Sequence, residues 1–170
     1  LQILDIGCGN GSLLHACKLA GYTKIIGIDI SAEQVMLAHQ LGITEVKHAE
    51  TIEYLNSTPD QYDVIFCMDI IEHFTKDELV VLLDLIKSRM NDQARIIFRT
   101  PNMDTPFNSI YAFGDFTHEN HLNAQSANQL MLSLGFKEIQ TLPSRMATKG
   151  FIKEIVRSLL WTFINIFIRL

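Results

Sequence analysis

Two short stretches of this 170-residue chain hold titratable side chains at spacings that could do chemistry. Asp69-Ile-Ile-Glu72-His73 places two acids and an imidazole within five residues, and Asp115-Phe-Thr-His118-Glu119-Asn-His121 adds two acids and two imidazoles. Grouped carboxylates and imidazoles can move a proton near neutral pH or ligate a divalent cation. If the first stretch enters a helix, Asp69, Glu72 and His73 stand at i, i+3 and i+4 and project from one face. His118 is the candidate general base, with His73 and Glu72 as its catalytic neighbours. A solvated loop histidine is the plain alternative for His118. The sequence assigns no metal ligand, although Glu72, His73 and His118 are of the donor types that a divalent metal accepts.

A third stretch reads as binding rather than reacting. Leu4-Asp5-Ile-Gly7-Cys8-Gly9-Asn10-Gly11 ends an apolar run in an acid and follows it with glycines at every second position. A buried strand that turns sharply into a helix needs glycine, for positive φ and for close approach of a ligand. A phosphate-cradling loop wants a lysine, and none lies here. A carboxylate at the strand end instead suits a ligand with an ammonium group. The dinucleotide fingerprint Gly-x-Gly-x-x-Gly is the competing pattern, but here the third glycine falls one residue early. Asp29 closes the next strand, where an acid can accept from both hydroxyls of a ribose. Its other reading is a charge before a helix N-terminus. Cys8 reads as small filler, because nothing nearby would lower its pKa.

These groups need elements to hold them, and apolar runs alternate with helical patterns along the chain. Strands are predicted at Gln2 to Ile6, Lys24 to Asp29, Glu45 to His48, Tyr62 to Met68 and Ala94 to Arg99. Helices are predicted at Ser12 to Ala20, from Ser31 to Leu41 and after Thr75. Gly21 and Gly42 stop the first two, and Ser31/Gln34 and Thr75/Glu78 form capping boxes. Val64-Ile65-Phe66-Cys67 is apolar on both faces, as in buried parallel strands. Strands alternating with helices imply right-handed crossovers and a doubly wound α/β sheet. A helix from Ser126 to Leu134 and a strand from Phe136 to Leu142 follow. Thr100 to Asn123 is the longest irregular stretch, and a loop of that size is usually functional or mobile. Ligands of such sheets sit beyond the carboxyl ends of the strands, so both titratable clusters are expected to face one cleft.

The length fits one domain. With 14 basic and 19 acidic residues the net charge is −5, which argues against a polyanionic partner such as nucleic acid. Cys8, Cys17 and Cys67 lack metal-type pairing, and an odd count of such cysteines reads as reduced thiols of a cytoplasmic protein.

Leu-Asp-Ile-Gly-Cys-Gly-Asn-Gly resembles the first motif of class I S-adenosylmethionine-dependent methyltransferases. The resemblance implies a three-layer, mostly parallel Rossmann-like sheet and S-adenosylmethionine as cofactor. It assigns cofactor binding to Asp5, Gly7, Cys8, Gly9 and Asn10, to Asp29 and Ile30, to Glu50 and Thr51, and to Met68 and Asp69. Asp5 would orient the loop and the methionine amine. Glu50 would meet the adenine amino group, or serve only as a solvated acid starting a helix. Asp69-x-x-Glu72-His73 is similar to segments in two metal-dependent branches, the ubiquinone-pathway O-methyltransferases and the small-RNA 2′-O-methyltransferases. Both usually carry Glu where this chain has Asp69. Thr100-Pro101-Asn102 with Gly114-Asp115-Phe116-Thr117-His118-Glu119 resembles a bacterial subgroup found with cell-surface polysaccharide synthesis. That implies O-methylation of a small, sugar-containing or glycolipid acceptor. An RNA 2′-hydroxyl, a nicotinamide-dependent oxidoreductase and a non-catalytic cofactor-binding module are the alternatives.

The resemblance also implies a chain incomplete at both ends. It would lack helices before the first strand and a final antiparallel strand. The methyltransferase core is read as residues 1–143 and an apolar helical segment as 144–170. In the latter, Glu154, Ser158, Thr162, Asn165 and Arg169 form one polar stripe, widened by Lys153 and Arg157. Spaced charges argue against a spanning helix. Within the segment, Phe151 to Leu170 reads either as a helix packed on the sheet or a partner, or as an interfacial helix with Trp161 in peripheral contact with a membrane.

Overall fold

A computed structural model describes residues 1–105, 108–142 and 150–168. Five strands form one parallel sheet in the order β3-β2-β1-β4-β5. They are β1 (Gln2–Ile6), β2 (Lys24–Asp29), β3 (Val46–His48), β4 (Tyr62–Met68) and β5 (Met90–Arg99). The order reverses between β1 and β4, which is where a doubly wound sheet opens a crevice. Four helices connect the strands: α1 (Ser12–Leu19), α2 (Ala32–Gln40), α3 (Thr51–Ser57) and α4 (Lys76–Ser88). Right-handed crossovers put α1 and α2 on one face and α3 and α4 on the other. On the first face Leu14, Cys17, Val35 and Ala38 pack with Ile3, Ile25 and Val46. From α4, Leu79, Leu82, Leu83 and Ile86 are all buried.

The chain divides into two compact units. Residues 1–100 with 117–120 hold the sheet and α1 to α4; residues 101–116 with 121–170 form the other. The second unit contains α5 (Asn108–Phe113), α6 (Ala124–Ser133) and α7 (Phe151–Ile168). Within it, Asn102 bridges Leu122, and Asn123 caps α6 in a reciprocal box with Ser126.

Several expectations need correcting. The strand expected from Phe136 to Leu142 is not formed. Glu138 takes φ 56°, which interrupts the extended backbone that a strand there would need. The long irregular stretch contains the helix α5. The fifth strand begins four residues early, and Gln93 at φ 68° lies where its register against β4 shifts between Tyr62 and Val64. Ser31 accepts from the Gln34 N–H, which is half of the expected box, whereas Thr75 and Glu78 make both halves. Arg169 and the 143/144 boundary lie outside the described residues.

Candidate functional site

The glycine loop joins β1 to α1. Gly7, Gly9 and Gly11 all have positive φ, at 67°, 53° and 76°. The Gly7 and Cys8 amides both donate to the Ile28 carbonyl, at 2.9 and 3.0 Å, which pulls the loop over the end of β2. A Cβ on Gly7 would lie 2.0 Å from Ile70 Cδ1, so the loop also closes against the segment after β4. A Cβ on Gly9 would meet only Gln34 Oε1, at 3.8 Å, so this stretch of backbone stays open. Asn10 Oδ1 accepts from the Ser12 amide and hydroxyl. Gly27 is a glycine the sequence reading missed: a Cβ there would fall 2.6 Å from Cys8 Sγ and from Leu14 Cδ1. No spacing rule marks it, since it lies within β2 and serves packing beneath the loop.

Asp5, Gly7, Cys8, Gly9, Ser12, Leu13, Met68 and Arg99 line a cleft of about 300 Å³. Asp5 is 2 % exposed. Burial, with the Asp29 charge second, raises its pKa to about 7. Burial and the same two acids push the Cys8 thiol up to about 12, which agrees with a filler and not a nucleophile. Asp29 Oδ2 accepts from Gly9 N at 2.7 Å and Oδ1 from Ser31 N at 2.8 Å. The expected ribose acceptor therefore also ties two loops together. Ile30 is exposed next to it. Glu50 caps α3, with its oxygens accepting from Ile52 and Glu53 at 3.1 and 2.8 Å, and Thr51 is the first helical residue. This is the geometry of a helix-start acid, and the carboxylate keeps lone pairs for a further donor.

The second cluster lies beyond β4. Asp69, Glu72 and His73 do not share a helix face. Asp69 takes the left-handed conformation at φ 55°, Ile71–His73 form one 3₁₀ turn, and α4 starts only at Lys76. Asp69 is turned away to Arg99, whose Nε lies 2.9 Å from both carboxylate oxygens and whose second guanidinium nitrogen closes the pair. Arg99 also lines the cleft and had no signal in the sequence beyond ending a strand.

The remaining two residues meet the histidine from the long loop. One ligand atom from each of Glu72, His73 and His118 lies within 4.8 Å of the others. The two imidazoles stack edge-on with centroids 4.9 Å apart, and His73 Nδ1 is 2.9 Å from Thr117 Oγ1. Backbone bonds hold the junction: Glu119 N and Asn120 N both donate to the Glu72 carbonyl, and the Asn120 amide donates to Phe74 O. Glu72 is 2 % exposed, and its Oε2 has no hydrogen-bond partner. Burial raises its pKa, with a hydrogen bond from Thr100 among the opposing effects. Asp115 and His121 belong to the other unit, where His121 packs edge-on against Phe113.

A family model described as a methyltransferase domain matches residues 1–141. A ubiquinone biosynthesis O-methyltransferase of Klebsiella pneumoniae is 38 % identical over 85 residues, which are 47 % of this chain and 35 % of that protein. The matches span about a third of the length of such curated relatives. A SAM-dependent methyltransferase from Archaeoglobus fulgidus superposes with a TM-score of 0.72 at 26 % identity, covering 93 % of this chain and 75 % of that one. The small RNA methyltransferase HEN1 is also similar, with TM-score 0.61 and 26 % identity over 79 % of this chain and 19 % of the other.

Proposed function

Because the chain belongs to the methyltransferase-domain family, we propose that it binds S-adenosylmethionine at the glycine loop and transfers the methyl group to an oxygen of a small or sugar-containing acceptor. One observation carries this reading: a buried carboxylate, Asp5, and an open stretch of positive-φ backbone share one cleft at the point where the sheet order reverses. The residues present fit the cofactor. Asp5 offers a negative partner to the ammonium of its methionine portion. Asp29 keeps unused lone pairs for ribose hydroxyls beside its two amide bonds. Ile30, Glu50 and Thr51 border the adenine end, while Met68 and Asp69 border the methionine end.

When bound, S-adenosylmethionine supplies a methyl carbon made electrophilic by its sulfonium. The chain's task is then alignment and exclusion of water, with a group that takes the acceptor's proton. His118 is that base in this proposal, with His73 held by Thr117 and Glu72 beneath them. The name of the Klebsiella relative supports oxygen as the receiving atom, and the net charge of −5 supports a small acceptor over RNA. The sugar-containing acceptor rests on the resemblance of residues 100–102 and 114–119 alone. The same proposal takes residues 1–143 as the core, 144–170 as a helical segment and 151–170 as its part in peripheral contact with a membrane.

The Glu72 Oε2 left without a partner favours a second reading, in which Glu72, His73 and His118 hold a divalent cation. The cation would lower the pKa of the acceptor hydroxyl. Calorimetry with S-adenosylmethionine and with NAD tests the cofactor; heat only with the former is expected, and none with it overturns the proposal. A non-catalytic module would bind the cofactor and methylate neither sugars nor RNA. A chelator that leaves turnover intact removes the metal reading.

A further inference from the structure

We infer that Arg99 receives the α-carboxylate of the cofactor's methionine portion, so that the cleft selects a zwitterion with Asp5 as the opposite pole. The inference rests on the cofactor proposed above and deepens it by naming the group that meets its anionic end. Three observations carry it.

The first is the charge of the lining. Among the residues that line the cleft, Asp5 and Arg99 are the two with charged side chains, and their signs are opposite. An α-amino acid carries an ammonium and a carboxylate on one carbon. Each needs a partner of the other sign when it leaves water. Asp5 is offered to the ammonium, and Arg99 is the cation left for the carboxylate.

The second is placement. Asp5 is level with Phe66 on β4, and Arg99 is level with Met68, two residues further on. Register partners in a parallel sheet project to the same side, as do residues two apart, so Asp5, Met68 and Arg99 share one face. Arg99 stands two strands across from Asp5, about 10 Å, and two residues further along, about 7 Å. That span leaves room between the two for the head of an amino acid.

The third is orientation. The Asp69 amide donates to the Arg99 carbonyl at 2.8 Å, and the Asp69 carboxylate accepts from Nε and Nη2 of the guanidinium. The ends of β4 and β5 are fastened through backbone and side chain together, with Asp69 held at φ 55°. An exposed ion pair of this kind adds little to stability. It does fix the plane of the guanidinium. The side edge is taken, while the end edge keeps both hydrogens of Nη1 and one of Nη2. Among the described residues Nη1 has no acceptor. Such an edge matches a carboxylate with two parallel bonds, which the point charge of a lysine does not. An acidic acceptor offers the same carboxylate chemistry, but the cleft shared with Asp5 favours the cofactor as its source.

The test is calorimetry of the full chain with S-adenosylmethionine and with its decarboxylated analogue, which keeps the amine. The parent should bind S-adenosylmethionine roughly 10–100-fold more tightly than the analogue. Arg99→Gln should weaken S-adenosylmethionine by about that factor and leave the analogue within about twofold, so that the preference disappears. Arg99→Lys, which keeps a cation beside Asp69, should retain the fold and part of the preference. A parent that binds both ligands equally overturns the inference without any variant. Equal weakening of both ligands by Arg99→Gln also overturns it, since Arg99 then acts only through the shape of the cleft. So does a preference that Arg99→Gln leaves intact, which would assign the guanidinium to an acidic acceptor. In each of these cases the parent still binds S-adenosylmethionine and the methyl-transfer proposal stands. No heat from the parent with either ligand overturns that proposal and this inference with it.

Discussion

The two halves of the site differ in how completely the fold satisfies them. In the turns after β1, β2 and β3 three polar side chains are tied to neighbours. Asp29 accepts from Gly9 and Ser31, Asn10 from Ser12, and Glu50 from the first turn of α3. Beyond β4 a carboxylate 2 % exposed keeps an oxygen with no partner. An unmet buried polar atom costs about 1–3 kcal/mol, and more when charged. The first half is built by the fold except at Asp5, whose burial raises its pKa. The second is left incomplete by the fold at Glu72 Oε2.

The largest break in that contrast should come from Gly7→Ala. The new Cβ would be 2.0 Å from Ile70 Cδ1 at a φ of 67°. Overpacking and left-handed strain together should cost about 2–5 kcal/mol. Calorimetry should show no cofactor binding and the melting temperature should drop. Ile70→Ala in the same chain should return the space but not the φ, giving partial recovery. An unchanged melt would mean that the loop is not held as described.

Glu72→Gln probes the other half, where turnover should fall about 100-fold. Stability should move the opposite way. Glu72 has a raised pKa in the fold, so folding favours its neutral form. That contribution is full below the ordinary carboxyl pKa and fades as pH rises through the raised value. Gln stays neutral, so the variant should melt higher than the parent at pH 8 and alongside it near pH 4. A parent more stable at pH 8 would show that the carboxylate has a partner after all.

Asp5 gives the comparison a pH axis. With its pKa near 7 in the free protein, it is mostly protonated at pH 5.5 and mostly ionised at pH 8. An ammonium-bearing ligand needs the ionised form, so affinity should rise by up to tenfold per unit below pH 7 and level off above it. Binding at pH 6.5 should release a proton, visible as a dependence of calorimetric heat on the buffer. A flat profile would put the ammonium elsewhere. The smallest effect is expected from Thr117→Val, which removes the hydroxyl beside His73 Nδ1. Turnover should fall about tenfold or less with cofactor affinity unchanged; a loss of affinity would link the two halves.

The finished half was the more legible one. Its signals are local: an acid, three alternating glycines and a helix start within eight residues, and β1, β2 and β4 run as expected. The cluster had to be assembled across 44 residues between His73 and Thr117, which no spacing rule encodes. Asp69 does not join Glu72 and His73, because the helix that would have grouped them is a 3₁₀ turn carrying only the latter two. Arg99 was invisible because its role depends on β5 lying beside β4. Phe136 to Leu142 failed in the other direction. Apolar residues mark which positions could face a core, but a segment becomes a strand only beside a free sheet edge in register.

The paired amide bonds of Asp29 have a consequence for the energetics of ligand capture. Gly9 and Ser31 belong to successive strand-to-helix turns, and one carboxylate fixes both before any ligand arrives. Backbone ordering worth about 1–2 kcal/mol per residue is then charged to folding and not to association. A ligand at the glycine loop would meet a rigid template, and its affinity there would reflect contacts made, not disorder overcome.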